Sequence, residues 1–538
     1  MISLPRISPR KTFFLLAFWA FALTAAIAWY VPWIVVVFVP VGAVFLLGVY
    51  DLLQSKHAVR RNFPVIGHFR YLFESIRPEL QQYFVESNSS GRPFSRDLRS
   101  LVYQRAKNVT DTVPFGTEKD VYAIGYEWIN HSLLAKHPAE EPPRVRIGGP
   151  DCTRPYDASL LNVSAMSYGS LSSNAVRALN RGAKAGGFAH NTGEGGLTPH
   201  HLAEGADVIW QIGTGYFGCR DAAGKFDGAR FAEKAAIDVV KMIEIKLSQG
   251  AKPGHGGILP ARKLTPEIAE IRGLPMGRDV ISPPTHSSFR TPIEMCLFIA
   301  KLRELAKGKP IGFKLCVGKR REFLAICKAM LETGITPDFI TVDGGEGGTG
   351  AAPLEFSNVV GTPLVEGLVF VHNALNGVGL RDRIRVIASG RIVTGFDIAH
   401  KIAIGADLCN SARAMMFALG CIQAQQCNAN TCPTGVATQD PELVRGLVVA
   451  DKAARVANFQ RNTVRAFTEI LGAAGLERPE DLRPWHVLRR ISPTESKHYG
   501  EMYEYLAPRA LLSADLPKSY ARPWHAAQAS SFESAVRD

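Results

Sequence analysis

Residues 311–345 read IGFKLCVGKRREFLAICKAMLETGITPDFITVDGG. The runs IGFKLCVG and DFITVDGG have the length and apolar character of buried strands, and REFLAICKAMLETG between them has the spacing of an amphipathic helix. Strands that alternate with helices are typical of an α/β fold with a parallel sheet. This stretch therefore predicts the fold class.

The same alternation continues on both sides, over residues 159–419. SLLNVSAM precedes SSNAVRALNRGAKAGG, and RIRVIASG precedes DIAHKIAIG. A repeat of this size predicts a (β/α)8 TIM barrel, which we assign to residues 151–440. A doubly wound open sheet is the alternative, although no GxGxxG motif follows a first strand.

Residues 13–50 contain no charged side chain. As one helix they would be about 57 Å long, against about 30 Å for a membrane core, so we predict a transmembrane hairpin with spans near 13–30 and 33–50. Basic residues precede and follow the hairpin, which places residues 1–12 and the catalytic domain in the cytoplasm, on a two-pass inner-membrane protein. A cleavable signal peptide is the alternative.

The remaining segments carry less information. Residues 51–150 are interpreted as a linker or collar, and residues 441–538 as a helical extension. The net charge of +13 is scattered, which favours a membrane surface or acidic substrates rather than nucleic acid. The nine cysteines form no disulfide framework and indicate a reducing compartment.

Four glycine-rich loops follow predicted strands. They are SYGS at 167–170, NTGEGG at 191–196, KPGHGG at 252–257 and DGGEGGTG at 343–350. Glycine lets backbone N–H groups approach an anion or a flat ring closely. Each loop alone could be a plain turn, but together they predict a ligand site at one end of the barrel.

Two further loops predict a phosphate site. The strand that ends in ASGR is followed by TGFD, and NSAR follows the next strand. In phosphate-binding barrels the anion lies between the loops after strands 7 and 8, at a helix N-terminus. The candidate residues are Ser389, Gly390, Arg391, Ser411, Ala412 and Arg413, with a plain pair of turns as the alternative.

Lys314 lies within an otherwise apolar strand. A lysine that points into the barrel mouth needs an anionic partner, which a reduced flavin or a carboxylate substrate would supply. A lysine that snorkels at a strand end is the alternative.

Residues 420–439, GCIQAQQCNANTCPTGVATQ, place Cys421, Cys427 and Cys432 in a C-x5-C-x4-C run. Three thiolates so close in sequence can hold a metal or an iron–sulfur cluster. The spacing does not fit a zinc ribbon, and a disulfide would leave one thiol over. Small buried cysteines are the alternative.

Taken together, these motifs resemble the synthase domain of glutamate synthase, from about residue 162 to 475. The motifs are SAMSYGSLS, NTGEGG, GAKPGHGGILP, ISPPTH, FKL, DGGEGGTGAAP, GLRDRIRV, SGRIVTGFDIA and the cysteine run. With the hairpin, the chain resembles a shorter, membrane-anchored branch, the FMN-binding glutamate synthase family proteins. The resemblance implies an FMN-binding barrel and a [3Fe-4S] cluster.

The resemblance also implies roles for individual residues. The cluster ligands would be Cys421, Cys427 and Cys432. The flavin contacts would be Ala165, Met166, Ser167, Gln211, Lys314, Gly390, Ser411 and Arg413. Lys252 and Arg272 would bind 2-oxoglutarate. Three positions depart from the family pattern: His255 replaces a glutamate, Ile258 a glutamine and Glu346 an aspartate.

The implied reaction is the FMN-dependent reductive amination of 2-oxoglutarate, or a related keto acid, to glutamate. Lys252 and Arg272 would clamp the substrate carboxylates, and Lys314 would stabilise negative charge on the flavin. Glu194 or Glu346 would move a proton. Electrons would come through the cluster from ferredoxin or a reductase subunit, and ammonia from ammonium, an amine or a separate glutaminase subunit.

Three alternatives keep the same cofactors. The chain could oxidise an amino acid and pass electrons to membrane quinones, or carry out amine transfer like an N-methylglutamate synthase. It could also be an electron-transfer module without substrate turnover.

Overall fold

The computed structural model of the protein describes residues 8–109 and 112–536. Residues 1–7 of the predicted cytoplasmic segment 1–12 lie outside the described residues. The chain divides after Arg96 into two compact units.

The first unit begins with two apolar helices. Helix α1 is Pro9–Tyr30, and the Ser8 hydroxyl caps its start by accepting a hydrogen bond from the Lys11 amide. A 3-10 turn, Pro32–Val37, leads into α2, Phe38–Leu53. The stretches Pro9–Tyr30 and Pro32–Leu53 each have 22 residues and contain an 18-residue window with a mean hydropathy of 1.9 and 2.5, respectively. Each is therefore long and apolar enough to cross a membrane.

The first unit continues with α3, Ala58–Asn62, and α4, Gly67–Leu80. A single wider helical turn, Gln81–Val85, extends α4. Pro78 is accommodated near the end of α4, where the chain passes into that wider turn.

The second unit contains a closed barrel of eight parallel strands, in sequential order around the ring. The strands are β1 (Leu161–Val163), β2 (His190–Asn191), β3 (Val208–Ile212), β4 (Val240–Lys246), β5 (Ile311–Leu315), β6 (Phe339–Asp343), β7 (Arg385–Ser389) and β8 (Leu408–Ser411). Pairing of Cys409 with Leu161 closes the ring between β8 and β1. The predicted TIM barrel is confirmed, and the open doubly wound sheet is wrong because the sheet has no edges.

Helices follow the strands and surround the barrel. They are Ser173–Gly186, Pro199–Leu202, Gly228–Ala235, Pro266–Arg272, Pro292–Leu305, Arg320–Thr333, Leu354–Val359, Leu364–Gly377, Gly395–Ala403 and Arg413–Leu419. The long helix Val449–Ala473 packs on Ser173–Gly186. A Cβ at Gly182 would lie 2.8 Å from the Val456 Cβ, so this close helix contact requires glycine.

A short antiparallel pair closes the N-terminal end of the barrel. Strands Arg144–Ile147 and Tyr156–Ser159 pair with each other. Their apolar side chains pack with the first residues of the barrel strands in one buried cluster. Its members are Ile147, Tyr156, Ala158, Ala189, Ile209, Met242, Phe339, Ile387 and Leu408. Part of the predicted collar, residues 51–150, therefore serves as the floor of the barrel.

Smaller elements complete the second unit. Strands Glu127–Ile129, Val487–Arg490 and Ser496–His498 form a three-stranded sheet, and Ile258–Leu259 pairs with Val280–Ile281. The remaining helices are Arg96–Ala106, Pro441–Val444, Tyr499–Met502 and Lys518–Ala526, with 3-10 turns Ala261–Lys263, Pro479–Asp481, Pro484–His486 and Ala510–Leu512.

Candidate active site

The C-terminal ends of the barrel strands bring polar side chains to one mouth. Glu244 on β4 is buried and accepts hydrogen bonds from three other barrel strands, β2, β3 and β6. The donors are Gln211 Nε2 at 2.6 Å, Asn191 Nδ2 at 2.9 Å and Thr341 Oγ1 at 2.6 Å. These bonds fix the amide of Gln211, one of the predicted flavin contacts, in one orientation.

Glu194, a predicted proton-transfer residue, lies in the NTGEGG loop above this network. Its Oε1 is 2.8 Å from Lys246 Nζ at the end of β4. Burial raises the pKa of Glu194, but the charges of Lys246, Lys252 and Arg272 outweigh burial and hold the pKa below its ordinary value. Glu194 is therefore ionised at neutral pH.

The two predicted substrate-binding residues lie at the same mouth and are almost completely buried. Lys252 Nζ donates to the Ala351 carbonyl at 3.1 Å, and burial lowers the pKa of Lys252 to about 8. Arg272 donates through Nη2 to the Tyr168 carbonyl at 3.0 Å, and burial lowers its pKa to about 10. Glu194 opposes both shifts.

Glycines of two predicted loops, and Gly213 directly after β3, allow this close packing. A Cβ at Gly257 would lie 2.5 Å from Glu194 Oε1, and a Cβ at Gly213 would lie 2.8 Å from the Glu194 Cβ. A Cβ at Gly195 would lie 3.0 Å from Arg272 Nη2. The NTGEGG and KPGHGG loops thus need glycine to surround the Glu194 carboxylate.

Charge is unbalanced in this cluster. Three cations, Lys246, Lys252 and Arg272, act on the Glu194 carboxylate. In the part of the chain that the structure describes, Arg272 Nε has no hydrogen-bond partner. A buried guanidinium nitrogen without a partner is costly, so the cluster favours binding of a further anion.

Lys246 is a functional candidate that the sequence analysis missed. It ends a barrel strand, and a polar residue at that end of a TIM-barrel strand commonly belongs to the active site. That signal could have identified it, whereas Lys252 is predicted from the family resemblance.

Lys314 lies on β5 with its Nζ 3.4 Å from Asp343 Oδ2. Both side chains are nearly inaccessible, so Lys314 does not snorkel to solvent. Asp343 Oδ2 also accepts a hydrogen bond from the Gly250 amide at 2.8 Å. The chain itself therefore supplies an anionic partner for Lys314, and its contact with a flavin stays a prediction.

Glu346, the other predicted proton-transfer residue, lies at the N-terminus of the helix Leu364–Gly377. Its Oε2 accepts a hydrogen bond from the Leu364 amide at 2.9 Å, and its carbonyl accepts one from Arg413 Nη2 at 2.7 Å. A carboxylate at a helix N-terminus is stabilised there. Glu346 thus has a structural function, and its catalytic role stays a prediction.

The predicted phosphate residues lie together at the ends of β7 and β8. The Ser389 hydroxyl is 3.2 Å from that of Ser164, and the Ser411 hydroxyl donates to the Ile392 carbonyl at 2.6 Å. Gly390 and Arg391 both have positive φ, 152° and 50°. The two loops are therefore held in contact in a sharply turned backbone.

Two arginines meet at these loops. Arg413 begins the helix that follows Ala412, and its pKa is lowered to about 10, first by burial and then by the charge of Arg391. Asp343 and Glu346 oppose this shift. Two guanidinium groups close enough to repel each other suit a phosphate, which would relieve the repulsion.

The predicted flavin loop after β1 is a tight turn. The Ser167 carbonyl accepts the amides of Ser170 and Leu171 at 3.1 and 3.0 Å. Met166 is buried, and Ala165 is partly exposed. A Cβ at Gly193 would lie 2.6 Å from the Ser167 amide nitrogen, so the NTGEGG loop also packs on this turn.

The cysteine loop lies beside two of the glycine-rich loops. A Cβ at Gly350 would be 3.8 Å from the Cys427 Cβ, which places the DGGEGGTG loop beside it. Lys263 Nζ donates to the carbonyls of Ser170, Cys427 and Ala437 at 2.6, 3.2 and 3.1 Å. The cysteine loop is therefore joined through Lys263 to the SYGS loop and packs beside the DGGEGGTG loop.

Cys432 is surrounded by donors. Burial raises its pKa, but the Thr434 hydroxyl and the backbone N–H groups of Ala437, Thr434 and Val436 lower it below the ordinary value. Burial raises the pKa of Cys421 to about 12 and also raises that of Cys427. Donors aimed at one sulfur suit a thiolate ligand.

The cysteine loop has an unusual backbone. Gln423, Gln425 and Asn430 adopt φ of 60°, 57° and 65°. Among the described residues, no group of three or more His, Cys, Asp or Glu side chains is arranged around a single metal ion. An iron–sulfur cluster distributes its thiolates over several irons, so they need not converge on one point.

Two departures from the family pattern lie in the loop after β4. His255 Nδ1 is 2.9 Å from the Gly256 carbonyl oxygen, and its ring makes an edge contact with Phe356, 5.4 Å between centroids. Ile258 pairs with Ile281 in a two-residue strand. Ile258 follows Gly257, which packs on Glu194, so it lies beside the cation cluster.

The sequence matches the model of the conserved region in glutamate synthase over residues 152–477. It is 38% identical over 496 residues to a glutamate synthase large subunit-like protein, YerD, of Bacillus subtilis strain 168, covering 85% of this chain and 94% of that protein. It is 38% identical over 323 residues to the archaeal glutamate synthase [NADPH] of Methanocaldococcus jannaschii, covering 60% of each chain.

Other similarities are more limited. The large chain of the B. subtilis glutamate synthase [NADPH] is 35% identical over 287 residues, which are 52% of this chain and 18% of that one. A solved flavocytochrome b2 mutant with pyruvate bound aligns at 13% identity and a TM-score of 0.39, covering 82% of this chain and 91% of that one. That likeness is too weak to carry an argument.

The family match covers more than half of the chain, and the relative from B. subtilis is matched over most of both chains. The resemblance drawn from the motifs is thereby confirmed, as is the prediction, at the level of the family, of a glutamate synthase-type enzyme. The chain belongs to the glutamate synthase family.

Proposed function

We propose that this chain is an FMN-dependent oxidoreductase that acts on CH–NH2 donors and reductively aminates 2-oxoglutarate, or a related keto acid, to glutamate. Family membership supports the reaction class. The observation that carries the substrate class is the cation excess around Glu194, together with the unpartnered Arg272 Nε in the described chain.

A keto dicarboxylate fits this cluster. Lys252 and Arg272 would bind its two carboxylates through charge-assisted hydrogen bonds, which balance the excess positive charge. Glu194, ionised and 2.8 Å from Lys246, would accept or return a proton near the reacting carbon. The Lys246 contact would keep the carboxylate in place.

The residues at the ends of β7 and β8 fit an FMN phosphate, because Arg391 and Arg413 repel each other there. The turn at residues 165–167 and Gln211 would lie along the ring, and Lys314 would stabilise negative charge on it. Bound FMN would supply hydride transfer, and a [3Fe-4S] cluster on Cys421, Cys427 and Cys432 would supply single electrons.

The proposed reaction needs an electron donor and a source of ammonia. The electron donor would be ferredoxin or a reductase subunit that docks near the cysteine loop. Ammonia would come from ammonium or from a separate glutaminase subunit. We place the two apolar helices in the inner membrane as a two-pass anchor with the catalytic unit in the cytoplasm, because Lys11, Lys56 and Arg60 flank them.

The same hairpin favours a second candidate. A flavoprotein anchored in a membrane could oxidise an amino acid and pass electrons to quinones. The residues that bind the amino acid would be those that bind the keto acid, since both carry the same carboxylates.

The test is anaerobic titration of the purified full-length protein, followed by visible and EPR spectra. Flavin oxidation by 2-oxoglutarate plus ammonium, after reduction by dithionite, supports the synthase. Flavin reduction by glutamate, followed by reoxidation with a quinone, supports the second candidate. A colourless protein without flavin contradicts both.

The cluster assignment has its own test. Cys427→Ser should lose the cluster EPR signal and most of the bound iron while FMN stays bound. Cys152→Ser is the matched control, because its thiol donates to the Gly308 carbonyl at the other end of the barrel. Unchanged iron in Cys427→Ser would show that the ligand assignment is wrong.

A further inference from the structure

Helix α4 carries an exposed apolar stripe. Its members recur at helical spacing and are between 38% and 59% exposed: Phe69, Leu72, Phe73, Ile76 and Leu80. The wider turn that follows adds Tyr83 and Phe84, which are also exposed. A contiguous apolar patch of this kind marks an interaction surface.

The opposite side of α4 is occupied by the chain itself. Tyr71 receives the Arg60 guanidinium 4.4 Å above its ring and the His57 ring at 5.0 Å. Arg70 lies to one side of the stripe and pairs with Glu74 at 2.9 Å. The apolar stripe is therefore the face of α4 that is turned away from α3.

Side-chain contacts fix α4 to one end of the apolar hairpin. Asp51, in the last turn of α2, is 2.8 Å from His68 Nε2 and accepts the Val65 amide at 2.9 Å. At the same end, Arg10 at the start of α1 donates to Asn62 Oδ1 at 2.7 Å and to the Arg61 carbonyl at 3.1 Å. If the hairpin crosses a membrane, α4 begins at its surface.

Apolar surface continues from the hairpin toward α4. The groove between α1 and α2 is lined by apolar side chains such as Phe13, Leu16 and Val44, and residues 63–66 close it. Phe63 and Ile66 themselves are 47% and 66% exposed. The stripe on α4 thus continues the exposed apolar surface of the hairpin.

We propose that α4 lies in the plane of the membrane, with the stripe Phe69–Leu80 at the boundary between headgroups and acyl chains. The inference rests on the membrane insertion of the hairpin proposed above. Its occupant is the bilayer that holds the hairpin, because α4 is fixed to the hairpin end and shares its apolar surface. Arg70 and Arg77 beside the stripe would contact anionic headgroups.

Photo-crosslinking in the full-length protein tests this position. p-Benzoylphenylalanine is placed at Phe73 on the stripe, at Glu74 on the polar side, or at Leu46 in α2, and the protein is reconstituted into nanodiscs with anionic lipid. Leu46 reports insertion of the hairpin. Ile76 is a second stripe position in case the Phe73 variant does not fold.

Lipid adducts at positions 46 and 73, several-fold above position 74, are the expected result. Equal adducts at 73 and 74, or adducts at 73 to a second copy or another protein, would overturn the in-plane helix while leaving the hairpin intact. Absence of lipid adducts at 46 would instead overturn the membrane proposal, and the inference with it.

Discussion

At the N-terminal end of the barrel, Arg303 forms a buried ion pair with Asp338 and a longer one, at 3.8 Å, with the exposed Asp151, whereas at the C-terminal mouth three cations act on Glu194. Asp338 Oδ2 accepts Arg303 Nη2 at 3.0 Å and the Ile311 amide at 2.8 Å, and Oδ1 accepts the Gly149 amide at 2.7 Å. Both partners at the floor are satisfied by the chain.

The comparison shows two uses of buried charge. At the floor, each charge has its partners, so the pair fixes the backbone of β5 and of the closing hairpin. At the mouth, Lys252 and Arg272 have lowered pKa values because they are buried with too little negative charge around them. That arrangement costs stability and is relieved by an anionic ligand.

Disrupting the buried ion pair at the N-terminal end of the barrel should have the largest effect on stability. Asp338→Asn removes the buried carboxylate and leaves Arg303 only the exposed Asp151, at 3.8 Å, as a counterion, which should destabilise the fold by about 3–5 kcal/mol. Urea unfolding followed by tryptophan fluorescence measures the shift. Affinity of the surviving folded protein for 2-oxoglutarate should be unchanged, and a loss of affinity would contradict the division between the two ends.

Removing a cation from the mouth should affect ligand binding rather than stability. Lys252→Met removes one proposed clamp of the keto dicarboxylate and should weaken its binding by about 2–4 kcal/mol, roughly 30- to 1,000-fold. Calorimetric titration with 2-oxoglutarate measures this change. The unfolding midpoint should stay the same or rise, because an unbalanced buried charge is removed.

Lys241→Met is the matched control, because Lys241 is a partly exposed lysine that pairs with Asp238 outside the mouth. Equal affinities for all three proteins would show that the cation cluster does not bind the keto acid.

A pH titration sharpens the comparison. Burial lowers the pKa of Lys252 to about 8, with Glu194 opposing and Lys246 assisting the shift. Binding of a dicarboxylate needs the protonated lysine, so affinity should be flat below about pH 8. Above it, affinity should fall by up to about tenfold, or 1.4 kcal/mol, per pH unit.

The control for this titration is again Lys252→Met, which should show a weak affinity with no break near pH 8. A wild-type affinity that stays constant up to pH 10 would contradict the assignment of Lys252 as a clamp.

The smallest effect is expected at a group of three charged residues outside the barrel, whose two arginines are partly exposed. Arg181 and Arg177 hydrogen-bond to Glu204 and hold its pKa below the ordinary value. Glu204→Gln should cost less than about 1 kcal/mol at neutral pH, because solvent screens the pair.

The sign of the pH effect follows from the lowered pKa. The Glu204 contribution is present above the unfolded pKa and is lost as pH falls through the folded value. The difference in urea midpoint between wild type and Glu204→Gln should therefore shrink toward pH 3. A difference that grows as pH falls would show that the pair does not act through charge.

Much of this architecture could be predicted from local pattern. The alternation in residues 311–345 identifies strands and a helix because buried strands and amphipathic helices have different apolar periods. The glycine-rich loops identify the mouth, because only glycine allows the contacts seen at Gly257 and Gly195. Lys252 and Glu194 lie on such loops, whereas Arg272 ends the helix Pro266–Arg272 and is assigned only through the family resemblance.

Other features depend on partners far away in the chain. Lys314 needed an anion, but only β5–β6 pairing supplies Asp343 as that anion. The loop sequence predicts Glu346 as a candidate for proton transfer, and only the fold shows that its carboxylate also accepts the Leu364 amide, 18 residues on. Lys246 is a site candidate because it contacts Glu194, which lies on a different loop.

The sequence by itself determined the strand–helix repeat, the apolar hairpin and the spacing of Cys421, Cys427 and Cys432, because these follow from the order of residue types along the chain. Only the tertiary structure decided the balance of charge. Closing the ring places Glu194, Lys246, Lys252 and Arg272 in one desolvated volume, and electrostatic energy depends on distance and burial in space rather than on separation in sequence.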